Sequence, residues 1–596
     1  MPLTQNPADF YGNKIKVLST LLSSLYKKKR LFEWLRLSAF AGGLLFIWLS
    51  WSSGPFITLA VILATIAVFL VMVSKDATNQ EAIDHNENLV HINKQELQYL
   101  QHQYTHQKDG SQFLKDDHPY AADLDIFGRA SIYQYINRTN TEQGNELLAN
   151  WLSAPASADQ IIKRQNAVRE LAERPDWRQE LQAITHESPV TIHAETTIVS
   201  WLKEQNLFIH HRSWQIIRYL VPTIAISTLV AYIVDIITYP QFTLALVLFF
   251  LVAFSITRKV LPIYSRLNKI AGEVDTLAKS IKLIDGLKST DPLLNDLRSG
   301  TSNASTSIHR LHKILARFDY RLNPLVYIPL NIFLLWDLQQ VLQLEKWKED
   351  NTEDVGTWFR TLAAFEALSS IGTLAFNHPS WSFPELNNAE PEFTAEGLGH
   401  PLIDPKKSVV NRFSTIGRSK ISIITGSNMA GKSTFLRSVG VNLVLAGMGA
   451  PVYASSLKVS PLKVMSSMRV KDNLEESTST FYAELKKLKG IIDAVKRKDP
   501  VIILLDEILR GTNSHDRHAG SSALIKQLIQ VEATGIIATH DLELASLEKE
   551  RPEAIHNFHF DVQVNGPELY FDYTLKTGIC QSFNASILMK KIGIEL

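Results

Sequence analysis

Two pairs of apolar runs set the strongest limit on how this chain can fold. From Leu37 to Trp51 and from Phe56 to Val73 there is no charged residue, and Ser52-Ser53-Gly54-Pro55 between them is turn chemistry. A second pair, Tyr219 to Ile237 and Phe242 to Ile256, has Tyr239-Pro240 at its turn and Arg258-Lys259 just beyond. Runs of this kind need a bilayer, which asks for roughly 20 apolar residues per helical span, or a core large enough to bury them. Pairing favours the bilayer and predicts two transmembrane helical hairpins. Lys27-Lys28-Lys29-Arg30 before the first run and Lys75 after the second put both chain ends of that hairpin in the cytoplasm, and the second has the same orientation. Asp235 falls near the turn, within reach of headgroups. A cleaved leader is disfavoured because the runs start late and come as a pair. Buried core helices are the alternative, strongest for the second pair, whose last run is short. Leu325 to Leu335 is also apolar, but Pro329 and Asn331 interrupt it and Asp337 closes it, which predicts a buried soluble helix rather than a fifth span.

The length of 596 residues suits several domains. A formal charge of +1 gives no global case for nucleic acid, so any such partner would need a local basic patch. Cys580 is the single cysteine, which excludes an internal disulfide and fits a reducing compartment. Beyond the second hairpin Leu267, Ile270, Val274, Leu277, Ile281 and Ile284 recur at alternating three- and four-residue spacing, the pattern of a helix packed lengthwise on another. Ile308–Arg321, Val341–Lys348 and Thr357–Leu374 read as helical by the same test.

The apolar run Ile421-Ser422-Ile423-Ile424 reads as a buried strand, and Gly426-Ser427-Asn428-Met429-Ala430-Gly431-Lys432-Ser433 after it fits G-x-x-x-x-G-K-[ST], with Thr434 continuing into a helix. In a phosphate-binding loop the glycines turn backbone N–H groups onto phosphates, Lys432 reaches the β and γ oxygens, and Ser433 holds Mg²⁺. The pattern therefore predicts ATP and Mg²⁺. Val501 to Leu505 is a second buried strand, ending in Asp506-Glu507. One carboxylate there can orient the metal, directly or through water, and another can position the attacking water; Asp506 takes the first role and Glu507 the second. Gly535 to Thr539 is a third such strand, and His540 at its end can sense the γ-phosphate or be ordinary strand-end chemistry. His515-x-x-His518 and His556-x-x-His559 have metal-like spacing without a supporting cysteine or carboxylate cluster. Lys486, Lys487, Lys489, Lys496, Arg497 and Lys498 make one helix basic, a solvated face or a nucleic-acid patch.

Thr425 to Thr434, with Asn428-Met429 inside its glycines, resembles the nucleotide loop of the MutS mismatch-repair family. Asp506-Glu507-Ile508-Leu509-Arg510-Gly511-Thr512 resembles that family's acidic strand end, with Leu509 where a glycine is usual. Ser479-Thr480-Phe481 with Glu484, Ala538-Thr539-His540 with Glu543-Leu544, and Gly578 to Gly593 resemble its remaining blocks, so the likeness covers about Gly399 to Gly593. Asp123 to Phe127, Ile136 to Thr141, Gly144 to Pro155 and Arg164-Gln165 look like the start of the MutS lever domain. The resemblance implies a homodimer through facing ATPase domains, with Ser479 entering the partner's site. Read alone, Ser477 to Thr480 is equally a helix cap. It also implies mismatch repair and binding to double-stranded DNA, yet no Gly-x-Phe-x-Glu mismatch-reading motif occurs, and the nuclease domain of the MutS2 branch and an extended C-terminal dimerisation helix are expected to be missing. The adenine-stacking residue stays open among Val409, Val410 and Phe413.

The expected architecture is multidomain: an N-terminal cytoplasmic helix (1–30), transmembrane hairpin 1 (31–75), a linker (76–118), the first part of an all-α lever domain (119–212), transmembrane hairpin 2 (213–258), further lever helices (259–385) and a P-loop α/β ATPase domain (386–596). The function expected is a multi-pass membrane ATPase with its ATPase domain in the cytoplasm, driving lever motion toward the bilayer or a clamped partner. A scaffold or signalling ATPase without a DNA role is the alternative. A transporter-like ATPase would need an LSGGQ-like signature, and none is present.

Overall fold

The computed structural model describes residues 6–301, 303–387, 389–427, 429–468, 480–565 and 568–580. Each apolar pair forms a helical hairpin. The first consists of α1 (Pro7–Ser50) and α2 (Pro55–Leu100). Asn6 caps α1 by accepting from the Ala8 N–H, and Pro7 takes the first helical position, where a missing N–H costs nothing. Gly54, at φ 104, makes the reversal that Pro55 follows. α1 begins well before its apolar run and α2 continues well past its own, so polar stems carry the hairpin into the rest of the molecule. In the apolar part the two helices touch each other closely, because Gly43 has no side chain: a Cβ there would lie 2.1 Å from Thr65 Cγ2. Leu44, Trp48, Phe56 and Leu63 are exposed. On the stem, Tyr11 donates to Asn377 Oδ1 at 2.7 Å, and the buried Glu96 holds both Arg138 and Asn377.

Helices Glu142–Ser153, Ala158–Ala172, Pro175–Glu187 and Ile192–Lys203 lead into the second hairpin, α3 (Arg212–Ile233) and α4 (Tyr239–Asn268). Its reversal sits earlier than Tyr239-Pro240. Asp235 adopts the left-handed φ of 56, and Pro240 lies in the first turn of α4 behind a Thr238–Gln241 capping box. Helices Ala271–Asp285 and Ala304–Phe318 return the chain to α5 (Pro324–Leu334), α6 (Trp336–Asn351) and α7 (Val355–Asn377). The six periodic residues Leu267 to Ile284 are all buried, on two helices that break at Lys269-Ile270. Buried along most of its length, α7 forms the axle of this helical body. Among the described residues four helices, containing the four apolar runs, are long and apolar enough to cross a membrane by length and composition, and their most apolar stretches are 6%, 6%, 6% and 17% buried.

Leu325–Leu335 departs from expectation. It forms α5, in which Asn331 alone is buried and Leu325 is 86% exposed. Interrupting polar residues do not bury a helix when the tertiary structure gives its apolar face no neighbour.

Ten strands follow: β1 (Glu385–Leu386), β2 (Glu392–Leu398), β3 (Asn411–Ile416), β4 (Ile421–Thr425), β5 (Ser456–Val459), β6 (Lys463–Ser467), β7 (Val501–Asp506), β8 (Thr534–Thr539), β9 (Ile555–Asn565) and β10 (Glu568–Thr577). They make a small sheet in the order β1-β5-β2-β3 and a large one in the order β10-β9-β4-β8-β7-β6, parallel except for β10. Helices α8 (Lys432–Met448), α9 (Thr480–Lys496) and α10 (Ser514–Gln530) cover the large sheet. Successive strand residues point to opposite faces, so Ile424, Leu504 and Ile536 join the core containing α8, while Ile423, Ile503 and Ile537 join the one containing α9 and α10. Both faces are covered, which is why these strands are apolar throughout.

The helical body is seated on this domain through Asp123-Leu124-Asp125. Asp123 accepts from Ser466 Oγ at 2.7 Å and from Lys487 Nζ at 2.6 Å, and Asp125 meets Arg437 of α8 at 3.2 Å. Leu124 fills the space left by Gly440, where a Cβ would be 2.7 Å away. At least Lys487 of the basic helix is therefore engaged inside the molecule.

Candidate functional site

β4 ends at Thr425, and the chain turns through Gly426 (φ 149) and Gly431 (φ 105) into α8. A Cβ on Gly426 would lie 2.9 Å from the Phe560 carbonyl oxygen, so this position has room only for glycine. Lys432 opens α8 almost fully buried, and its Nζ donates to the carbonyls of Gly426 at 2.8 Å and Ser427 at 3.0 Å. The ammonium thus folds back over the loop. Burial lowers its pKa, opposed by the nearby Glu507 and Asp506 carboxylates. Ser433 and Thr434 continue the first turn of α8, where backbone N–H groups lack helical partners. Met429 is 77% exposed, Ala430 is buried, and Asn428 lies outside the described residues.

β7 ends at Asp506. Burial raises the Asp506 pKa, and a hydrogen bond from the Ser433 hydroxyl works against that rise. Its Oδ1 is buried with no hydrogen-bond partner among the described residues. Glu507 follows in the left-handed region at φ 48. Its Oε2 lies 3.1 Å from Arg510 Nη2 and its Oε1 3.6 Å from His540 Nδ1. Because β4, β8 and β7 are parallel neighbours, the loop, His540 and the acidic pair all arrive at the same sheet edge. Ser479, expected to act across a dimer, lies outside the described residues, as does most of the Gly578–Gly593 segment.

A cleft of about 360 Å³ opens beside the loop, walled by His400, Lys407, Val409, Asn411, Glu507 and Tyr573 among others. Of the three candidates for stacking on a base, Val409 lines this cleft, and Val410 does not. Phe413 is buried against Phe393, Phe435 and Phe558. Tyr573 escaped the sequence reading. Its ring stands over Gly431, where a Cβ would be 3.1 Å from Cδ1, and Asn411 fixes its strand by donating to the Tyr573 carbonyl at 3.1 Å and accepting from the Leu575 N–H at 2.7 Å. An irregularity in the β9–β10 pairing between Phe571 and Leu575 turns this residue, and no local motif announces it. His400 is held neutral, since burial lowers its pKa to about 4.

Leu509, where the resemblance leads one to expect glycine, has a φ of 61. That region favours glycine, so a leucine there is strained by about 1–2 kcal/mol. Its side chain is buried and its N–H donates to the buried carboxylate of Glu484, which joins the Phe481 segment to the acidic strand end. The histidine pairs do not form metal sites of their own. His515 is almost fully exposed and His556 and His559 lie on β9, whereas His518 meets Asp541 at 2.7 Å and Glu543 at 3.8 Å.

The sheet and its cleft define a doubly wound α/β domain whose site lies at the carboxyl ends of parallel strands. The family model of MutS domain V matches residues 422–591, and that of MutS domain III matches residues 117–194. DNA mismatch repair protein MutS of Aquifex pyrophilus is 30% identical over 290 residues, 47% of this chain and 32% of that protein. The MutS of Chlamydia abortus is 32% identical over 183 residues, covering 30% and 22%. DNA mismatch repair protein MutS 2 of Halobacterium salinarum is 32% identical over 224 residues, covering 37% and 25%. The chain is similar to MutS proteins in these two segments, and the matches span a third or less of those relatives' length.

Proposed function

We propose that this chain is a membrane-anchored ATP hydrolase of MutS type, in which nucleotide turnover moves a helical lever fixed to a bilayer. The observation that carries it is one cluster at the sheet edge: Lys432 folded over a glycine loop, Ser433 against Asp506, and an Asp506 oxygen buried without a partner. An orphaned carboxylate oxygen beside a hydroxyl is a hard-donor arrangement that fits Mg²⁺. When bound, Mg²⁺ supplies charge neutralisation at the phosphates. ATP enters with its base in the cleft near Val409 and Tyr573 and its phosphates on Gly426–Thr434. Lys432 releases the two carbonyls and turns to the β and γ oxygens. Glu507, braced by Arg510 and near His540, orients a water whose oxygen bonds to the γ phosphorus as the bridging bond to ADP breaks, leaving inorganic phosphate. His540 follows the loss of the γ-phosphate. The exposure of both apolar hairpins supports the anchoring.

The test is Mg²⁺-dependent ATP hydrolysis by the full chain in vesicles. Turnover that is absent with Mg²⁺, or undiminished by chelation, overturns the reading. A homodimer with Ser479 acting in the partner's site belongs to the same proposal and predicts that the hydrolysing species is dimeric. A second reading, binding of double-stranded DNA in a repair role, is favoured by the domain III match. It predicts ATP-sensitive retention of homoduplex or mismatched DNA on filters at low salt, and its absence removes the DNA role.

A further inference from the structure

Among the described residues, α5 and the turn before it present an unpartnered apolar face beside a hairpin. α5 packs against α3 and α4, its Leu325 is 86% exposed and Leu322 of the preceding turn 78%, with Val326 and Ile328 exposed beside them. At 11 residues it is about 16 Å long, half the roughly 30 Å hydrocarbon core, so it cannot span. Nor does it make a broken span with α6. The two meet at 79° at Leu335, which has the left-handed φ of 47, and Leu338, Val341, Leu344 and Trp347 of α6 are buried in the helical body. There Glu345 accepts from the backbone N–H groups of Leu207 and Ile209, both at 2.7 Å, and so fixes α6 to the start of the second hairpin.

The polar side of α5 is built for a place away from water. Asp337, fully buried, accepts from Thr257 Oγ1 at 2.6 Å, from Tyr327 OH at 2.7 Å and from Arg321 Nε at 3.0 Å. Asn331 donates to Thr257 at 2.9 Å and accepts from the Asp337 N–H at 3.2 Å. The Arg321 guanidinium is enclosed by the rings of Tyr264, Phe318 and Tyr327 at 4.8–5.6 Å. Backbone that turns inside a bilayer is tolerated only where protein satisfies its polar groups, and here the Leu335 N–H donates to the Asn331 carbonyl at 3.1 Å and the Asp337 N–H to the Asn331 side chain. Tyr320 and Trp336 stack at 5.6 Å across the ends of the α5 segment, the amphipathic pair expected at a headgroup boundary.

We infer that α5 is a re-entrant helix: resting on the membrane reading above, it inserts the face of Leu322, Leu325 and Ile328 into the same leaflet as the cytoplasmic half of the second hairpin. The occupant of the face is lipid, because it continues the exposed apolar surface of α3 and α4. The lever then carries its own membrane contact, independent of the spanning helices.

The full chain, in phosphatidylcholine vesicles, carries a fluorescent label on Leu325→Cys, with Leu220→Cys as the hairpin reference and Glu553→Cys as the water reference. Cys580 is buried, and the unsubstituted chain serves as the blank. Spin-labelled lipid is expected to quench the labels at 325 and 220 several-fold more than aqueous iodide, with the reverse at 553. Quenching at 325 by iodide while 220 stays lipid-quenched overturns the inference and leaves the anchoring intact. Access by neither quencher at 325 overturns it in favour of a protein covering the face, such as a second copy. Iodide quenching at both 325 and 220 overturns the anchoring and this inference together. Ile328→Cys repeats the measurement should the first variant express poorly.

Discussion

The sheet end and the hairpin end of this molecule bury charge for opposite purposes. At the sheet edge Lys432, Asp506 and Glu507 are gathered with their needs incompletely met among the described residues: an ammonium bonded to two carbonyls and an Asp506 oxygen without a hydrogen-bond partner. At the base of α5, Asp337 is paired with Arg321 and accepts from Thr257 and Tyr327. The first arrangement is poised for a ligand and the second holds a shape. Substitutions should accordingly cost activity at one end and stability at the other.

The largest effect belongs to Lys432→Ala, which should abolish ATP binding measured by calorimetry while leaving the unfolding midpoint near that of the parent. Glu507→Gln comes next: ATP is retained, and turnover falls by about 10² or more, the usual worth of a positioned catalytic group. Unaltered kcat in that variant removes Glu507 from its role. At the hairpin end, Asp337→Ala strands a buried guanidinium and should cost about 3–5 kcal/mol in denaturant unfolding in detergent, with ATP binding unchanged. If it abolishes ATP binding in a folded protein, the two ends are not separable. Leu509→Gly removes strain of about 1–2 kcal/mol but deletes a buried side chain worth about 2–5 kcal/mol, so a net loss of about 2 kcal/mol is expected. A gain would show that strain dominates.

The smallest effect is on pH dependence. His400, with a folded pKa of about 4 against about 6.5 unfolded, favours the native state as a neutral ring. Its contribution is nearly complete about one pH unit above 6.5 and is lost as pH falls toward 4, the loss reaching about 1 kcal/mol at pH 6. His400→Gln should flatten that acid limb.

Legibility in the sequence divides along the same line. The turn through Gly426 and Gly431 and the strands ending at Thr425 and Asp506 were readable because a glycine turn is made by consecutive backbone and these strands are buried along their whole length. The helical hairpins were readable because their runs are long and uniformly apolar, whatever the neighbours. Tyr573 was hidden, since it reaches the cleft only through sheet order and a strand irregularity. The strain at Leu509 was hidden too, because a departure from a pattern does not reveal the φ it must adopt. Asp123 looked like part of a family pattern, and only its bonds to Ser466 and Lys487 show it joining two domains.

The amino-acid order alone thus determined the local chemistry: which strands are buried, where the glycine loop turns and which helices are apolar on every side. Tertiary structure decided what depends on neighbours. It excluded Phe413 from the cleft by packing it into the core, carried the polar stems of α1 and α2 onto the helical body, and left α5 uncovered. Burial is a property of the surroundings, and an apolar segment of 11 residues carries no record of whether protein or something else lies against it.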